Sequence, residues 1–83
     1  MLDKHIRKIN RQIVGNFKTR CLICGETTKC CLEIHHLRNK KYNISQDINY
    51  ITPSELKKEL SKCVCLCANC HRKVHAGLYK IEL

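Results

Sequence analysis

The chain has 83 residues, 16 Lys+Arg against 7 Asp+Glu for a formal charge of +9, eight cysteines, no tryptophan and one phenylalanine. So short a sequence is expected to form one domain (1–83) without a large aromatic core, supplemented by sulfur chemistry. The positive excess favours a polyanion, most simply nucleic acid, because neutralised phosphates release counterions; an acidic membrane surface is the alternative.

Leu2, Ile6, Ile9 and Ile13 recur at spacings of four, three and four, with Lys4, Arg7, Lys8 and Arg11 between them. This predicts a basic amphipathic helix within residues 1–16, ending near Gly15-Asn16. The stretch lacks the apolar run of a secretory signal or membrane span, so a reducing, cytoplasmic setting and no membrane partner are expected. "CLICGETTKC" reads as a CxxC knuckle followed by a polar turn, and "CLEIHHL", Cys31 to Leu37, as a short strand opening into the basic loop "RNKKYN". "ITPSELKKEL" carries a helix start, with Thr52 as N-cap, Pro53 in the first position and Glu55 completing a capping box. "KCVCLC", Lys62 to Cys67, is a second strand, and "ANCHRKVHAG" a final helix closed by Gly77. The expected fold is small α+β, with a zinc-stapled core over 21–77.

Eight cysteines allow a disulfide framework or metal sites, and a reducing compartment favours metal. Cys21-x-x-Cys24 and Cys67-x-x-Cys70 together supply four thiolates, enough to close a tetrahedral structural zinc. In "CANCHRKVH", His71 and His75 are i and i+4 on one helix face, while Cys70 lies about 100° around from His71, away from His75. The spacer of about twelve residues found in Cys2His2 zinc fingers is also missing. Two cations on two faces are therefore expected, one held by cysteines and one by histidines. A third histidine ligand comes from His35 or His36, which point to opposite strand faces, so one can bind while the other handles protons. His5 reads as a surface residue. Cys30, Cys31, Cys63 and Cys65 lack CxxC spacing and read as core sulfur. Arg38, Lys40 and Lys41, with Tyr42 beside them, form either a solvated loop or phosphate contacts; Arg72 and Lys73 could also reach a nucleic-acid backbone.

"LEIHHL" followed by "LCANCHRKVH" resembles the HNH (ββα-metal, His-Me finger) endonucleases, in particular the small phage and mobile-element type with a CxxC zinc site. The resemblance spans about Cys21 to Gly77. It implies a β-hairpin with a long inserted loop plus a metal-binding helix, and metal-dependent hydrolysis of DNA phosphodiesters by nicking or double-strand cleavage. His36 would be the general base. His35, His71 and His75 would hold one divalent cation (Mg, Mn, Ni or Zn), and Glu33 would orient a neighbouring histidine. The implied partner is double-stranded DNA, with a homodimer or a larger phage protein as further partners and a phage-encoded origin in a bacterial host. One position departs from the family: Lys62 stands where its middle asparagine belongs. The orienting bond to His36 is then expected from a backbone carbonyl, leaving Lys62 for phosphate. The competing reading is a zinc-stabilised DNA- or RNA-binding module with weak or lost catalysis.

Overall fold

The structure, a computed structural model, describes residues 1–81. Its elements are α1 (Lys4–Phe17), β1 (Leu32–His36), α2 (Ile44–Asp47), α3 (Pro53–Leu60), β2 (Cys63–Cys67) and α4 (Ala68–His75), with a 3-10 turn at Lys29–Cys31 before β1. This is a small α+β arrangement: a two-strand antiparallel sheet and four helices among the described residues.

α1 begins where the Asp3 side chain accepts from the backbone N–H groups of His5 and Ile6, satisfying two donors that a helix start leaves free. It does not stop at Gly15. The apolar stripe continues through Val14 and Phe17, which pack against the core, and the Lys18 N–H closes the helix on Val14 O. The Lys29 ammonium donates to the Gly15 carbonyl, a favourable cation near a helix C-terminus. Asn10 interrupts the stripe and is fully buried, at 0% exposure. Its Nδ2 donates to the Ile48 and Ile51 carbonyls at 2.9 and 2.7 Å, tying α1 to the segment before α3.

α3 starts as its sequence demands. Thr52 Oγ1 accepts from Glu55 N, and the Glu55 carboxylate accepts from Thr52 N, the reciprocal capping box, with Pro53 in the first helical position. β1 begins at Leu32 rather than Cys31, because the 3-10 turn takes up Cys30 and Cys31. Cys30 is exposed and Cys31 half-buried, so neither is the core sulfur expected; Cys63 and Cys65 are buried as expected. Burial pushes the Cys63 thiol up to about 11 and raises that of Cys65 as well, so both stay neutral apolar groups.

The register pairs Leu32 with Cys67, Ile34 with Cys65 and His36 with Cys63 on one face, and Glu33 with Leu66 and His35 with Val64 on the other. Through Ile34 and Cys63 the first face meets α1 and α3 in a cluster built on Leu56, Leu60, Ile44, Ile51 and Cys63, while Leu32, Cys65 and Cys67 join Cys21, Leu66 and Cys70 in a second cluster. α4 packs against the sheet, with Val74 against the cluster that holds fully buried Leu66. The sheet is thus the middle of three layers, and adjacent residues of β1 face different helices. No helix among the described residues is long and apolar enough to cross a membrane.

Candidate metal centres and the histidine cleft

The four cysteines of the two CxxC pairs converge. One Sγ from each of Cys21, Cys24, Cys67 and Cys70 lies within 4.8 Å of all the others. Two features build this. Gly25, at φ +82°, turns the first knuckle so that Cys21 N donates to Glu26 O and Gly25 N to Cys21 O. Leu22 N then donates to Cys65 O and seats the knuckle beside β2. The second pair straddles the start of α4, whose N-cap is Cys67 itself. Each pair uses the same local bond: the N–H of the second cysteine donates to the first cysteine's sulfur, Cys24 to Cys21 at 3.5 Å and Cys70 to Cys67 at 3.4 Å.

Cys24 Sγ and Cys67 Sγ are 3.6 Å apart. Thiolates about 2.3 Å from a tetrahedral zinc stand about 3.8 Å from one another, so the spacing matches a zinc site and is far beyond a covalent S–S bond. Cys21 and Cys70 are shifted in opposite directions. Burial raises Cys21, but N–H donors from Cys24, Cys67 and Ile23 outweigh it and bring the thiol down to about 6. Burial and the neighbouring sulfurs push Cys70 up to about 12. Four sulfurs crowded at this distance all become thiolates only with a cation among them. The donor set and spacing fit structural zinc.

The second cluster lies on the opposite face of α4. Donor nitrogens of His35, His71 and His75 all lie within 4.8 Å of one another. The rings are 5.0 Å apart for His35–His71, 5.2 Å for His35–His75 and 4.8 Å for His71–His75. His71 Nδ1 donates to Glu33 Oε1 at 2.8 Å, which leaves the Nε2 lone pair facing the cluster, 3.1 Å from His75 Nε2. Nitrogens about 2.1 Å from a shared cation stand about 3.0–3.4 Å apart, so this pair is spaced as metal ligands are. Burial, then the other three imidazoles, lowers the pKa of His35 and favours its neutral, ligating form. The two expected clusters are therefore both formed, on separate faces, and each could hold a metal ion.

His36 points from the other face of β1, yet shares a cleft of about 440 Å³ with the triad, lined by His35, His36, Arg38, Lys40, His71 and His75 among others. The strand ends at His36, so both of its faces open onto the same rim.

The surroundings of His36 depart from expectation. Its Nε2 bonds to no backbone carbonyl but to the Glu59 carboxylate, Oε2 at 3.0 Å. Nor is Lys62 held out for phosphate: its ammonium donates to Glu59 Oε1 at 2.9 Å and to Asn39 O at 3.0 Å. Glu59 Oε2 further accepts from the backbone N–H groups of Lys41 and Tyr42 at 2.9 and 3.3 Å. Glu59 is 2% exposed. Burial alone would raise its carboxyl, but Lys62 and the two N–H groups hold it down at about 2. The residue carries no motif spacing in the sequence, and "KKEL" reads there as an ordinary polar helix face.

Arg38 and Lys40 line the cleft. Lys41 instead folds over the Tyr42 ring, 5.4 Å from its centroid, and Lys73 over the Tyr79 ring at 5.6 Å; Arg72 is exposed on α4. His5 is exposed among Lys4, Lys8 and Arg11 on α1. Comparison with family models, curated proteins and solved structures returned no match.

Proposed function

We propose that the chain is a metal-dependent DNA endonuclease of the HNH type, with β1, β2 and α4 as its ββα-metal finger. The observation that carries the reading is His36. A structural zinc held by four cysteines needs no histidine, and phosphate binding is served by lysine and arginine, yet His36 opens onto the cleft of the three-histidine cluster.

In this reading the Cys21, Cys24, Cys67 and Cys70 thiolates staple the knuckle to the β2–α4 junction with zinc and so align His71 and His75 with His35. A divalent cation on those three histidines would supply Lewis-acid polarisation of the scissile phosphate and neutralise charge on the departing oxygen. His36 takes the proton of the attacking water, whose oxygen bonds to phosphorus as the bond to the 3′ oxygen breaks; that oxygen takes a proton from solvent, leaving 5′-phosphate and 3′-hydroxyl ends. Glu33 holds His71 in the ligating tautomer. Arg38 and Lys40 meet the flanking phosphates. Three imidazoles favour Mn, Ni or Zn over Mg, which prefers oxygen ligands.

The test is nicking of supercoiled plasmid by the zinc-loaded protein with added Mg, Mn, Ni or Zn, beside His36→Ala. Nicking by the wild type alone supports the reading. Equal behaviour of the two proteins, with DNA or RNA still bound, would make the chain a zinc-stabilised binding module.

A further inference from the structure

Glu59 stands where the packing calls for an apolar residue. With Leu56 and Leu60 it lies on the buried side of α3, in an i, i+3, i+4 stripe that meets Cys63 and the sheet. A leucine there would join the cluster; a carboxylate loses its hydration instead. The position is unfavourable a second time, because Glu59 sits in the last turn of α3, where a helix presents its carbonyls and a negative charge is repelled. A charge kept against both penalties has a role that packing does not supply.

Its bonds define that role. An ionised carboxylate only accepts hydrogen bonds, so the His36 nitrogen 3.0 Å from Oε2 must carry the proton. Nε2–H therefore belongs to Glu59, and in the neutral ring the lone pair is on Nδ1. The same oxygen accepts from Lys41 N and Tyr42 N, and the other oxygen holds Lys62, whose ammonium reaches on to Asn39 O. Asn39 takes φ +42°, a left-handed turn that asparagine tolerates better than most residues, and these bonds tie the loop after His36 on both sides of it. That loop carries Arg38 and Lys40 into the cleft.

We propose that Glu59 is the positioning residue of the cleft: one buried carboxylate fixes which nitrogen of His36 is free to accept a proton, and seats the Arg38–Tyr42 loop beside it. The catalytic part of this rests on the nuclease reading; the choice of nitrogen does not.

The experiment uses the full zinc-loaded chain with 15N-labelled histidine, comparing wild type, Glu59→Gln, which keeps shape and loses charge, and Glu59→Leu, which suits the apolar stripe. Long-range 1H–15N correlation spectra report which ring nitrogen of His36 carries hydrogen. The wild type is expected to show the Nε2–H form alone, and both variants a mixture. In single-turnover nicking both variants should lose at least about tenfold in rate, read at saturating protein so that any loss of plasmid affinity from the unseated loop does not enter. Hydrogen on Nδ1 in the wild type, an unchanged tautomer in both variants, or wild-type nicking rates in either variant would overturn the proposal. A wild type that never nicks removes the nuclease reading, and the spectra still decide whether Glu59 sets the His36 tautomer.

Discussion

Glu33 Oε1 lies 2.8 Å from Nδ1 of His71, across the gap between β1 and α4. The bond joins residues 38 apart in sequence and sets the face that His71 presents to its two histidine neighbours. Carboxylates that orient metal-bound histidines typically matter by 10–100-fold in affinity, an effect seen in the metal and not in the fold. Glu33→Gln is therefore expected to weaken binding of Ni or Zn at the three-histidine cluster by roughly tenfold or more. Glu33 is exposed, so thermal stability should hardly change. Titration calorimetry on protein already loaded at the cysteine site checks this, and unchanged affinity would remove Glu33 from the metal site.

The two clusters should be separable by chemistry. The wild type is expected to bind two equivalents of zinc at neutral pH, and His35→Ala, His71→Ala or His75→Ala one, with the fold retained. Cys67→Ser should lose the tighter ion and much of the helical circular dichroism, since apparent structural-zinc binding of roughly 10–16 kcal/mol is coupled to folding. Metal analysis of the purified variants measures this directly. One ion in the wild type, or unfolding in the histidine variants, would mean that the clusters act as a single site.

Lys62 can be assigned to Glu59 or to a nucleic-acid phosphate, and the two are separable by measurement. Its ammonium is engaged by Glu59 and Asn39 O. Lys62→Met is thus expected to lower stability by about 1–2 kcal/mol, as one partner of a half-buried charge pair is removed. The salt dependence of DNA binding should stay the same, whereas each lost phosphate contact lowers the slope of log K against log salt by about 0.9. A slope reduced by that amount would return Lys62 to the phosphate.

Acid should act through Glu59. Its carboxyl is held at about 2 against an ordinary 4.5, by Lys62 and two backbone N–H groups acting against burial. A depressed acid contributes stability that is fully present above its unfolded value and is lost as pH falls through its folded value. The stability difference between wild type and Glu59→Gln is expected to be largest above pH 4.5 and to shrink towards pH 2. Acid release of zinc affects both proteins and cancels in the difference. Urea unfolding across this range is the measurement, and a pH-independent gap would show that the carboxylate's charge contributes nothing to the fold.

Asn10 gives the fold its most specific long-range tie. Asn10→Ala leaves the Ile48 and Ile51 carbonyls without their donor and opens a small void, at an expected cost of about 2–3 kcal/mol. Asn10→Leu should do no better, because it restores volume without a donor. Thermal unfolding of zinc-loaded protein distinguishes these outcomes from a change within about 0.5 kcal/mol, the range of an ordinary surface substitution.

Much of this arrangement is legible along the chain. Cys21 and Cys24, Cys67 and Cys70, His71 and His75, and Thr52 with Glu55 are pairs whose geometry is set within one turn or one helix, so spacing alone reveals them. The alternation along β1 likewise separates His35 from His36 without knowledge of what either faces. Glu59, Lys62 and Asn10 are different. In sequence Lys62 is marked only by standing where the HNH pattern has its asparagine, which points it at phosphate and not at Glu59. Glu59 and Asn10 are a charge near a helix end and a polar break in an apolar stripe, with nothing to mark them. Their partners lie 23, 23 and 41 residues away, in Glu59–His36, Lys62–Asn39 and Asn10–Ile51. Such pairs meet only because α3 and α1 cross the same face of the sheet. That crossing depends on how the apolar clusters pack in three dimensions, which no local periodicity records.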